Sequence, residues 1–416
     1  MKSRQTAIDV AVLQNPVYRL LGLSQIASVA GEQILTVAIT VLVLRNDGTA
    51  SSLGLVLATR GLASVGFLLV GGVWADRLPR RRVLMAAYVV AAVAAGLLVL
   101  IPMPPSLWLL ASVIFVAGAA EAFIRPAFNA FLRGVLTDDQ RVSGRALLSI
   151  CVRTGVIAGP GIGVALLVDV GPRAAFGVTA AMFLLAAIVF WHMDEPPWTP
   201  VRGRSMIADT VAGVTEARRR PWLVGLLLFS PVSLMFVIAP SHVLLPVVSR
   251  DTFGSYAVFG TALACFGAGG LLGSLAAMAW RPRSPGTVAM CSMALYALVP
   301  LALLYAPSTW MLFGSYLIAG FGVETYALRW DVAVQREFPD HLIGRITSLA
   351  WLSSLGLMPF GLALTGPITN LVGTTVVLWI AVVLVLVVPP CLLLVDGMTT
   401  FHTALTTRPR ERLSED

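Results

Sequence analysis

Six charged side chains lie inside long apolar stretches of this sequence: Glu32, Glu121, Arg125, Arg153, Glu324 and Arg329. An ionised group in such surroundings is costly unless it faces a partner or a water-filled cavity, so it marks a candidate functional site. Carboxyl groups there can take up and release protons, which is the chemistry that proton-coupled transport requires. We therefore predict that the three glutamates are proton carriers and that the three arginines are their basic partners.

Spacing along the chain indicates which of these groups can pair. Glu121 and Arg125 are four residues apart, so they share one face of a helix and an ion pair can form. Glu324 and Arg329 repeat the pattern with a spacing of five, which aligns them less well. Glu32 lies near the middle of the first apolar stretch and is the predicted site of proton exchange, which Glu121 assists or gates. A fixed network of intramembrane salt bridges is the alternative role for these acids.

Aromatic side chains near these charges could form the apolar wall of a binding site for a bulky ligand. Tyr326 and Trp330 are one helical turn apart and lie beside the acid and the arginine of the second pair, so they are the first candidates. Phe123 and Phe236 are further candidates. Aromatic residues of membrane helices also face lipid or neighbouring helices, and that alternative stays open.

The elements that must position these side chains are membrane-spanning helices. Apolar residues make up 57% of the 416 residues and charged residues 12%, whereas a soluble domain has about 45–50% and about 25%. A membrane-spanning helix needs about 20 residues. Open strands do not survive in hydrocarbon, and the apolar segments are too long for barrel strands, so the predicted fold class is an all-α membrane protein. The twelve predicted segments are 18–44, 53–75, 83–101, 107–132, 146–168, 174–192, 222–248, 256–280, 286–305, 309–335, 346–369 and 374–395.

The basic residues are distributed unevenly between the two ends of these segments. If both termini are cytoplasmic, 22 basic residues lie on the cytoplasmic side, 3 lie on the opposite side and 4 lie within the spans. We therefore predict a multi-pass protein of the bacterial cytoplasmic (inner) membrane with both termini in the cytoplasm. The net charge of +8 then reflects orientation and contact with anionic lipid, and no nucleic-acid partner is expected.

Residue counts exclude several classes of chemistry. Lys2 is the only lysine, so neither a lysine-containing phosphate-binding loop nor a Schiff-base lysine is expected. The sequence contains no G-x-S-x-G and no H-E-x-x-H motif. The four cysteines have neither zinc-site spacing nor the pattern of a disulfide framework, so we expect them to be small apolar residues. The chain is therefore not expected to be an enzyme or to hold a metal or a cofactor.

A polar stretch rich in proline and arginine divides the chain into two similar halves. The predicted parts are an N-terminal half at 1–193, a cytoplasmic linker at 194–221, a C-terminal half at 222–397 and a cytoplasmic tail at 398–416. Both halves run in the same direction through the membrane, and such parallel repeats place a substrate site near the midplane between them. The equivalent positions are Ala117-Gly118, Glu121 and Arg125 in the first half and Ala319-Gly320, Glu324 and Arg329 in the second.

A tight turn between the second and third segments matches a known pattern. Gly72 lets the helices approach, and Asp76 offers an acceptor to the forked donors of Arg77. Together with Arg80 and Arg81, these residues resemble motif A of the major facilitator superfamily, G-x-x-x-D-R-x-x-R-R, in the branch of macrolide and enterobactin exporters. The resemblance implies a latch in which the Asp and Arg of the motif hold the halves together at the N-terminus of the eleventh helix.

The fifth segment carries a second motif, formed by Gly155, Gly159, Pro160, Gly161 and Gly163. Pro160 removes one helix hydrogen bond, and the glycines expose backbone to a close neighbour. The segment resembles motif C, G-x-x-x-G-P-x-x-G-G, which marks exporters of the superfamily, with Val164 at the final glycine. A generic kinked packing helix is the alternative. Arg60 is a common feature of the same branch, which implies a structural role for it.

The resemblance implies a function and a set of partners. It implies twelve helices in two pseudo-symmetric six-helix halves and a proton-coupled exporter of an amphipathic small molecule, such as a drug, a macrolide or a siderophore, working by alternating access. A lysophospholipid or metabolite transporter, or a flippase, on the same fold remains the alternative. The expected partners are the small-molecule substrate, protons and the lipid bilayer, and the protein is expected to be a monomer.

Overall fold

The computed structural model describes residues 15–46, 48–135, 141–195, 213–305 and 308–402. Within these ranges the chain is mostly helical and has no strand. Twelve helices of the described residues are long and apolar enough to cross a membrane, which confirms the predicted fold class. They are α1 Pro16–Arg45, α2 Ala50–Arg77, α3 Arg80–Leu100, α4 Leu107–Val135, α5 Arg141–Asp169, α6 Pro172–Trp191, α7 Pro221–Asp251, α8 Tyr256–Ala279, α9 Pro285–Tyr305, α10 Thr309–Glu337, α11 Asp340–Val372 and α12 Thr374–Leu392.

Each predicted segment corresponds to one of these helices, and the differences lie at their ends. α1 begins where Asn15 caps it, since the Asn15 side chain accepts a hydrogen bond from the Val17 amide at 3.0 Å and Pro16 follows at the first helical position. α11 extends from Asp340 to Val372, several residues beyond the predicted 346–369. The predicted ends mark where the apolar residues stop. A helix can continue through the polar residues that follow, because its end is set by its backbone conformation.

The repeat found in the sequence has equivalent packing in the two halves. α2 packs against α4 in the first half, and α8 packs against α10 in the second. Gly118 of α4 lies against the Arg60 carbonyl, and a Cβ there would be 2.5 Å from that oxygen. Gly320 of α10 lies against the Phe266 carbonyl of α8 with no space for a Cβ. The Ala-Gly pair of each half therefore lets two helices approach backbone to backbone.

The halves pack on each other through α2 with α11 and through α5 with α8. Along α2, Gly54 lies against the Leu362 carbonyl, and Gly366 of α11 lies against the backbone of Ser51. The Asn370 amide donates a hydrogen bond to the Ser51 hydroxyl at 3.4 Å. These contacts lie near the α1–α2 loop, and we call this end of the bundle the predicted outer end.

The contact of α5 with α8 is the second seam between the halves, and glycines of α8 allow a close approach there as well. A Cβ at Gly260 of α8 would be 3.1 Å from the Pro160 carbonyl of α5, and one at Gly267 would be 2.9 Å from the Ile157 side chain. Toward the opposite end, which we call the predicted inner end, Trp351 of α11 is 47% exposed although it faces the other half. The described close approaches thus hold the halves together from the predicted outer end to about the middle of the bundle.

The chain continues to pack after α12. Met398 and Phe401 are buried beside Trp222 at the start of α7, and the Phe401 ring centroid is 5.4 Å from that of Trp222. The Thr399 carbonyl accepts a hydrogen bond from the Gly286 amide at 2.9 Å. Residues 398–402 therefore fold against the second half, although the predicted tail begins at 398.

Candidate functional site

Three charged side chains of the first half form one cluster. The guanidinium of Arg60 in α2 binds the Glu121 carboxylate of α4 through two bonds, Nε to Oε2 at 3.1 Å and Nη2 to Oε1 at 2.8 Å. The same Nη2 lies 3.1 Å from Oε1 of Glu32 in α1. Nη1 donates to the Thr36 hydroxyl at 2.6 Å. Arg60 therefore joins three helices at one point.

The fold produces this cluster because α4 lies so close to α2. Gly118 permits the backbone contact at Arg60, and Glu121 lies about one turn further along α4 on the side that the guanidinium reaches. The side chains of Arg60 and Glu121 are 12% and 15% exposed, whereas that of Glu32 is 31% exposed. Glu32 is thus the member of the cluster that is most open to the surroundings. Two carboxyl groups share one guanidinium, so the three groups together carry one negative charge in excess when both acids are ionised.

This cluster corrects one expectation. Glu121 was expected to pair with Arg125 on its own helix, but its carboxylate is bound by Arg60. Arg60, for which a structural role was expected, is the cation of the cluster and joins its three helices. A spacing of four residues allows an ion pair between two side chains of the same helix. It does not indicate whether an arginine of a neighbouring helix lies close enough to bind the same carboxylate through two hydrogen bonds.

The third acid, Glu324, lies at the seam between the halves. Its carboxylate forms an ion pair with Arg153, which comes from α5 of the other half. Gly270 of α8 lies beside the pair, and a Cβ there would be 3.7 Å from Nη1 of Arg153 and 3.8 Å from Cβ of Glu324. The side chains of Arg153 and Glu324 are 29% and 18% exposed. Arg153 is therefore a basic partner, as expected, and its acid belongs to the opposite half.

Arg329 is not the partner of Glu324, so that expected pairing is also corrected. Its Nη2 donates to the Trp280 carbonyl at the end of α8 at 2.6 Å, and its guanidinium carbon lies 5.9 Å from the centre of the Trp280 ring. Arg329 is buried, and these contacts join α10 to α8 within the second half. The five-residue spacing from Glu324 turns the two side chains to different sides of α10.

Arg125 lies in a different environment from the other intramembrane arginines. Its guanidinium carbon is 5.8 Å from the centre of the Trp351 ring, which belongs to α11 of the other half. Arg125 is exposed, and Trp351 is half exposed. The contact therefore spans the space between the halves on the side of the predicted inner end.

The four candidate substrate-lining aromatics have different surroundings. Trp330 packs against Trp222 with ring centroids 6.1 Å apart, and Tyr326 packs against the same buried cluster of the second half. Phe123 packs against the core of the first half. Phe236 is 38% exposed and lies in a π-helical turn, Leu234–Ile238, within α7. Helix packing therefore accounts for the first three, and Phe236 remains a candidate for ligand contact, because π-helical turns often occur at functional sites.

The glycines of the fifth helix pack mainly against α1. Cβ atoms at Gly155 and Gly159 would lie 2.9 Å from the Val29 side chain and 2.5 Å from Cβ of Gln33, and Gly163 faces the same helix. Gly161 points elsewhere, with no atom within 4 Å of its Cβ position. The Pro160 carbonyl faces α8 of the other half. One face of this motif thus holds α5 against α1 while its proline lies at the seam.

Part of the first motif falls outside the described atoms, which include neither the surroundings of Gly72 nor the side chains of Asp76 and Arg77. Arg81 donates to the Phe190 carbonyl at 2.9 Å and to the Trp191 carbonyl at 2.7 Å, at the end of α6.

Arg80 donates to the Ala130 carbonyl of α4 at 3.1 Å. The carboxylate of Glu195 accepts hydrogen bonds from the amides of Arg80 and Arg81, both at 2.9 Å, and thereby caps α3. These two arginines fasten α3 within the first half, and the cap by Glu195 had no signal in the sequence pattern.

Two comparisons with known proteins agree on the type of protein. Residues 21–247 match the family profile described as Major Facilitator Superfamily. The multidrug efflux pump Tap of Mycolicibacterium fortuitum is 25% identical over 364 residues, which cover 83% of this chain and 87% of that protein. The enterobactin exporter EntS of Shigella flexneri is 25% identical over 375 residues, 88% of each chain.

Solved structures with the same fold are more distant in sequence. The nucleoside transporter NupG has a TM-score of 0.71 at 14% identity, covering 91% of this chain and 98% of that chain. A bacterial homolog of the human lysosomal transporter Spinster, in an inward-facing and unoccupied conformation, has a TM-score of 0.68 at 17% identity, covering 91% of this chain and 97% of that chain. These similarities concern the fold alone.

Proposed function

Because the chain belongs to the Major Facilitator Superfamily, we propose that it is a proton-coupled exporter of an amphipathic small molecule. The protein is a multi-pass membrane transporter of small molecules and not an enzyme. Export is supported by the similarity to a multidrug efflux pump and to an enterobactin exporter. The glycine motif of α5, which resembles that of exporters, supports the same direction.

The observation that carries proton coupling is the cluster of Glu32, Arg60 and Glu121. With both acids ionised, the cluster has one negative charge in excess inside an apolar bundle, and a single proton neutralises it. Glu121 is held by two hydrogen bonds, whereas Glu32 makes a single contact of 3.1 Å and is the most exposed of the three. Glu32 is therefore the group that takes up and releases the proton, and Glu121 fixes the position of Arg60.

The transport cycle follows from this arrangement as alternating access. The seams at the predicted outer end close one side, and cargo enters from the opposite side between the halves. Protonation of Glu32 removes one of the two carboxylate contacts of Arg60 and so changes how tightly α1 is held to α2 and α4. Cargo and proton then bind in alternation while the two halves rock about the seams between them.

We also propose the membrane in which the protein lies, its orientation there, the division of the chain and its monomeric state. The distribution of 22 basic residues against 3 supports an inner-membrane protein with both termini in the cytoplasm. The parts are a first half at 1–193, a linker at 194–221, a second half at 222–397 and a tail from 398. A monomer is sufficient, since both halves of the site come from one chain, and the positive charge is explained without nucleic acid.

A vesicle experiment tests the coupling. Inverted membrane vesicles carrying the protein are energised, the pH gradient is followed with a quenched acridine dye, and a macrolide, a catecholate siderophore and a cationic dye are added in turn. A transported compound releases the quenching because it exchanges with protons. We expect Glu32→Gln to abolish this release while compound binding persists, and Asp169→Asn, at the exposed end of α5, to leave it unchanged. The coupling role is excluded if Glu32→Gln retains proton-driven transport with the wild-type pH dependence.

A second measurement separates a drug or siderophore from a lipid cargo. A strain lacking the protein is compared with its complemented form for drug susceptibility and for retained metabolites. Increased sensitivity or retained siderophore supports the exporter, whereas unchanged values together with altered lysophospholipid distribution would support the lipid transporter.

A further inference from the structure

We propose that Arg125 and Trp351 form a binding subsite for an anionic aromatic group of the cargo. The anion would bind the Arg125 guanidinium, and the aromatic ring would stack on the Trp351 indole. This inference rests on the proposed function, since it assigns the chemistry of the molecule that the transporter carries. Neither residue was among the predicted substrate-lining aromatics, and Arg125 was expected to be the partner of an acid.

Arg125 can bind a ligand because its guanidinium forms no direct ion pair with a carboxylate of the described residues, and Glu121, one turn earlier on α4, acts on it only through longer-range electrostatics. The other intramembrane arginines bind oxygen atoms of the protein: Arg60 those of Glu32, Glu121 and Thr36, Arg153 that of Glu324, and Arg329 that of Trp280. Arg125 contacts the face of an aromatic ring instead. Because Arg125 is exposed, the donors of its guanidinium stay available to an anion that comes from outside the protein.

The position of the pair places it between the halves. Arg125 is four residues after Glu121, so it shares the face of α4 that carries the charge cluster. It lies seven residues before the end of the apolar span at Leu132, which is about 10 Å along the helix. Trp351 lies nine residues after the start of its span at Leu342, about 14 Å along α11. The two side chains thus meet at similar depth from the predicted inner end.

The chemistry of the two side chains defines the class of ligand. A guanidinium presents a planar fork of donors that fits a carboxylate, a sulfonate or a phenolate. An exposed indole offers a large flat surface for an aromatic ring. The existing contact between them is weak at an exposed site, so a ligand that binds both can displace it. A neutral or cationic molecule would use only the ring.

The subsite also couples binding to the transport cycle. Arg125 belongs to α4 of one half and Trp351 to α11 of the other, so any rotation of the halves changes the distance between them. The ligand can then make both contacts in one conformation and only one of them in another. A difference in affinity between two conformations is what allows a ligand to shift their populations and then be released.

The test measures binding by the purified protein in lipid nanodiscs, with no pH gradient. The probe is 1-naphthoate, and 1-naphthamide is its neutral counterpart. We expect Arg125→Gln to weaken 1-naphthoate binding about tenfold and to change 1-naphthamide binding less than twofold. Trp351→Leu should weaken both, and Arg125→Lys, which keeps the charge without the fork, should fall in between. Arg283→Gln, an exposed arginine in the α8–α9 loop, is the matched control and should bind like the wild type.

The proposal is overturned if 1-naphthoate does not bind saturably to the wild-type protein, or if Arg125→Gln and Arg283→Gln bind it equally. Thermal unfolding of each variant shows whether it is folded, and Arg125→Lys provides the comparison if Arg125→Gln is not. Because no gradient is present, this result is independent of proton coupling. If the wild-type protein bound 1-naphthoate but exchanged no compound with protons in vesicles, the proposed function would be contradicted and the subsite would still stand.

Discussion

Arg60 is the cation that allows two carboxylates, Glu32 and Glu121, to lie side by side within an apolar bundle. Arg60→Gln would leave two acids facing each other without a partner. Removing one member of a buried ion pair costs about 3–5 kcal/mol, because the remaining charge is left without compensation. We therefore expect the variant to unfold at a clearly lower temperature in detergent, followed by intrinsic tryptophan fluorescence.

A combined variant separates charge from packing in this prediction. If the loss arises from uncompensated acids, adding Glu32→Gln and Glu121→Gln to Arg60→Gln should recover most of the lost stability. Arg283→Gln is the control for loss of a single positive charge. An unfolding temperature of Arg60→Gln equal to that of the control would show that the cluster does not hold the three helices together.

The sequence was sufficient to identify the charged residues but not to pair them. Glu32, Glu121, Arg153 and Glu324 all take part in ion pairs, as their placement in apolar stretches indicated. Their partners depend on how closely neighbouring helices approach, which is set by small residues such as Gly118. The spacing of residues along one helix gives no information about the distance between two helices, so it did not identify Arg60 as the central partner.

At the scale of single helices, the glycines of α5 make a directly testable contact with α1. A methyl group at Gly159 would lie 2.5 Å from Cβ of Gln33, whereas one at Gly161 would meet no atom within 4 Å. We expect Gly159→Ala to destabilise the protein by about 1–3 kcal/mol through overpacking, and Gly161→Ala to be neutral or slightly stabilising. Thermal unfolding of the two variants, which carry the same substitution in the same motif, measures the difference. Equal effects would contradict the packing of this face on α1.

The helices themselves were the most predictable part of the fold, because twelve long apolar stretches in a chain of this length leave few alternatives. Their ends were less predictable, since hydropathy records where polar residues begin and not where the backbone leaves the helix. α11 continues past both predicted ends for this reason. The burial of Met398 and Phe401 was also absent from the pattern, because a short segment carries too little periodicity to indicate its partner.

Across the whole molecule, the two halves differ at the point where they are coupled. Gly118 packs against Arg60 in the first half, and its counterpart Gly320 packs against Phe266, which has no charge. Phe266 thus stands where the first half has Arg60, and among the described residues Glu324 forms no ion pair within its own half. It binds Arg153 of the other half, so the broken symmetry of the repeat produces an ion pair that crosses the seam.

Closure of the predicted outer end can be measured with introduced cysteines. Ser51 and Asn370 lie on opposite halves, with their side-chain atoms 3.4 Å apart. Ser51→Cys and Asn370→Cys, in a background whose four native cysteines are replaced by serine, would form a disulfide only while that end is closed. The rate of oxidative cross-linking then reports the population of the closed conformation.

With this readout, Glu324→Gln should slow cross-linking, because the ion pair with Arg153 stabilises the closed conformation. A partly exposed pair contributes about 1 kcal/mol at most, which changes a population ratio up to about fivefold. Arg153→Gln should have the same effect, and the double variant should be no slower than either single variant, since both remove one interaction. Asp169→Asn serves as the control for loss of a carboxylate. Additive effects of the two single variants, or unchanged cross-linking in both, would exclude this pair as the link that holds the halves closed.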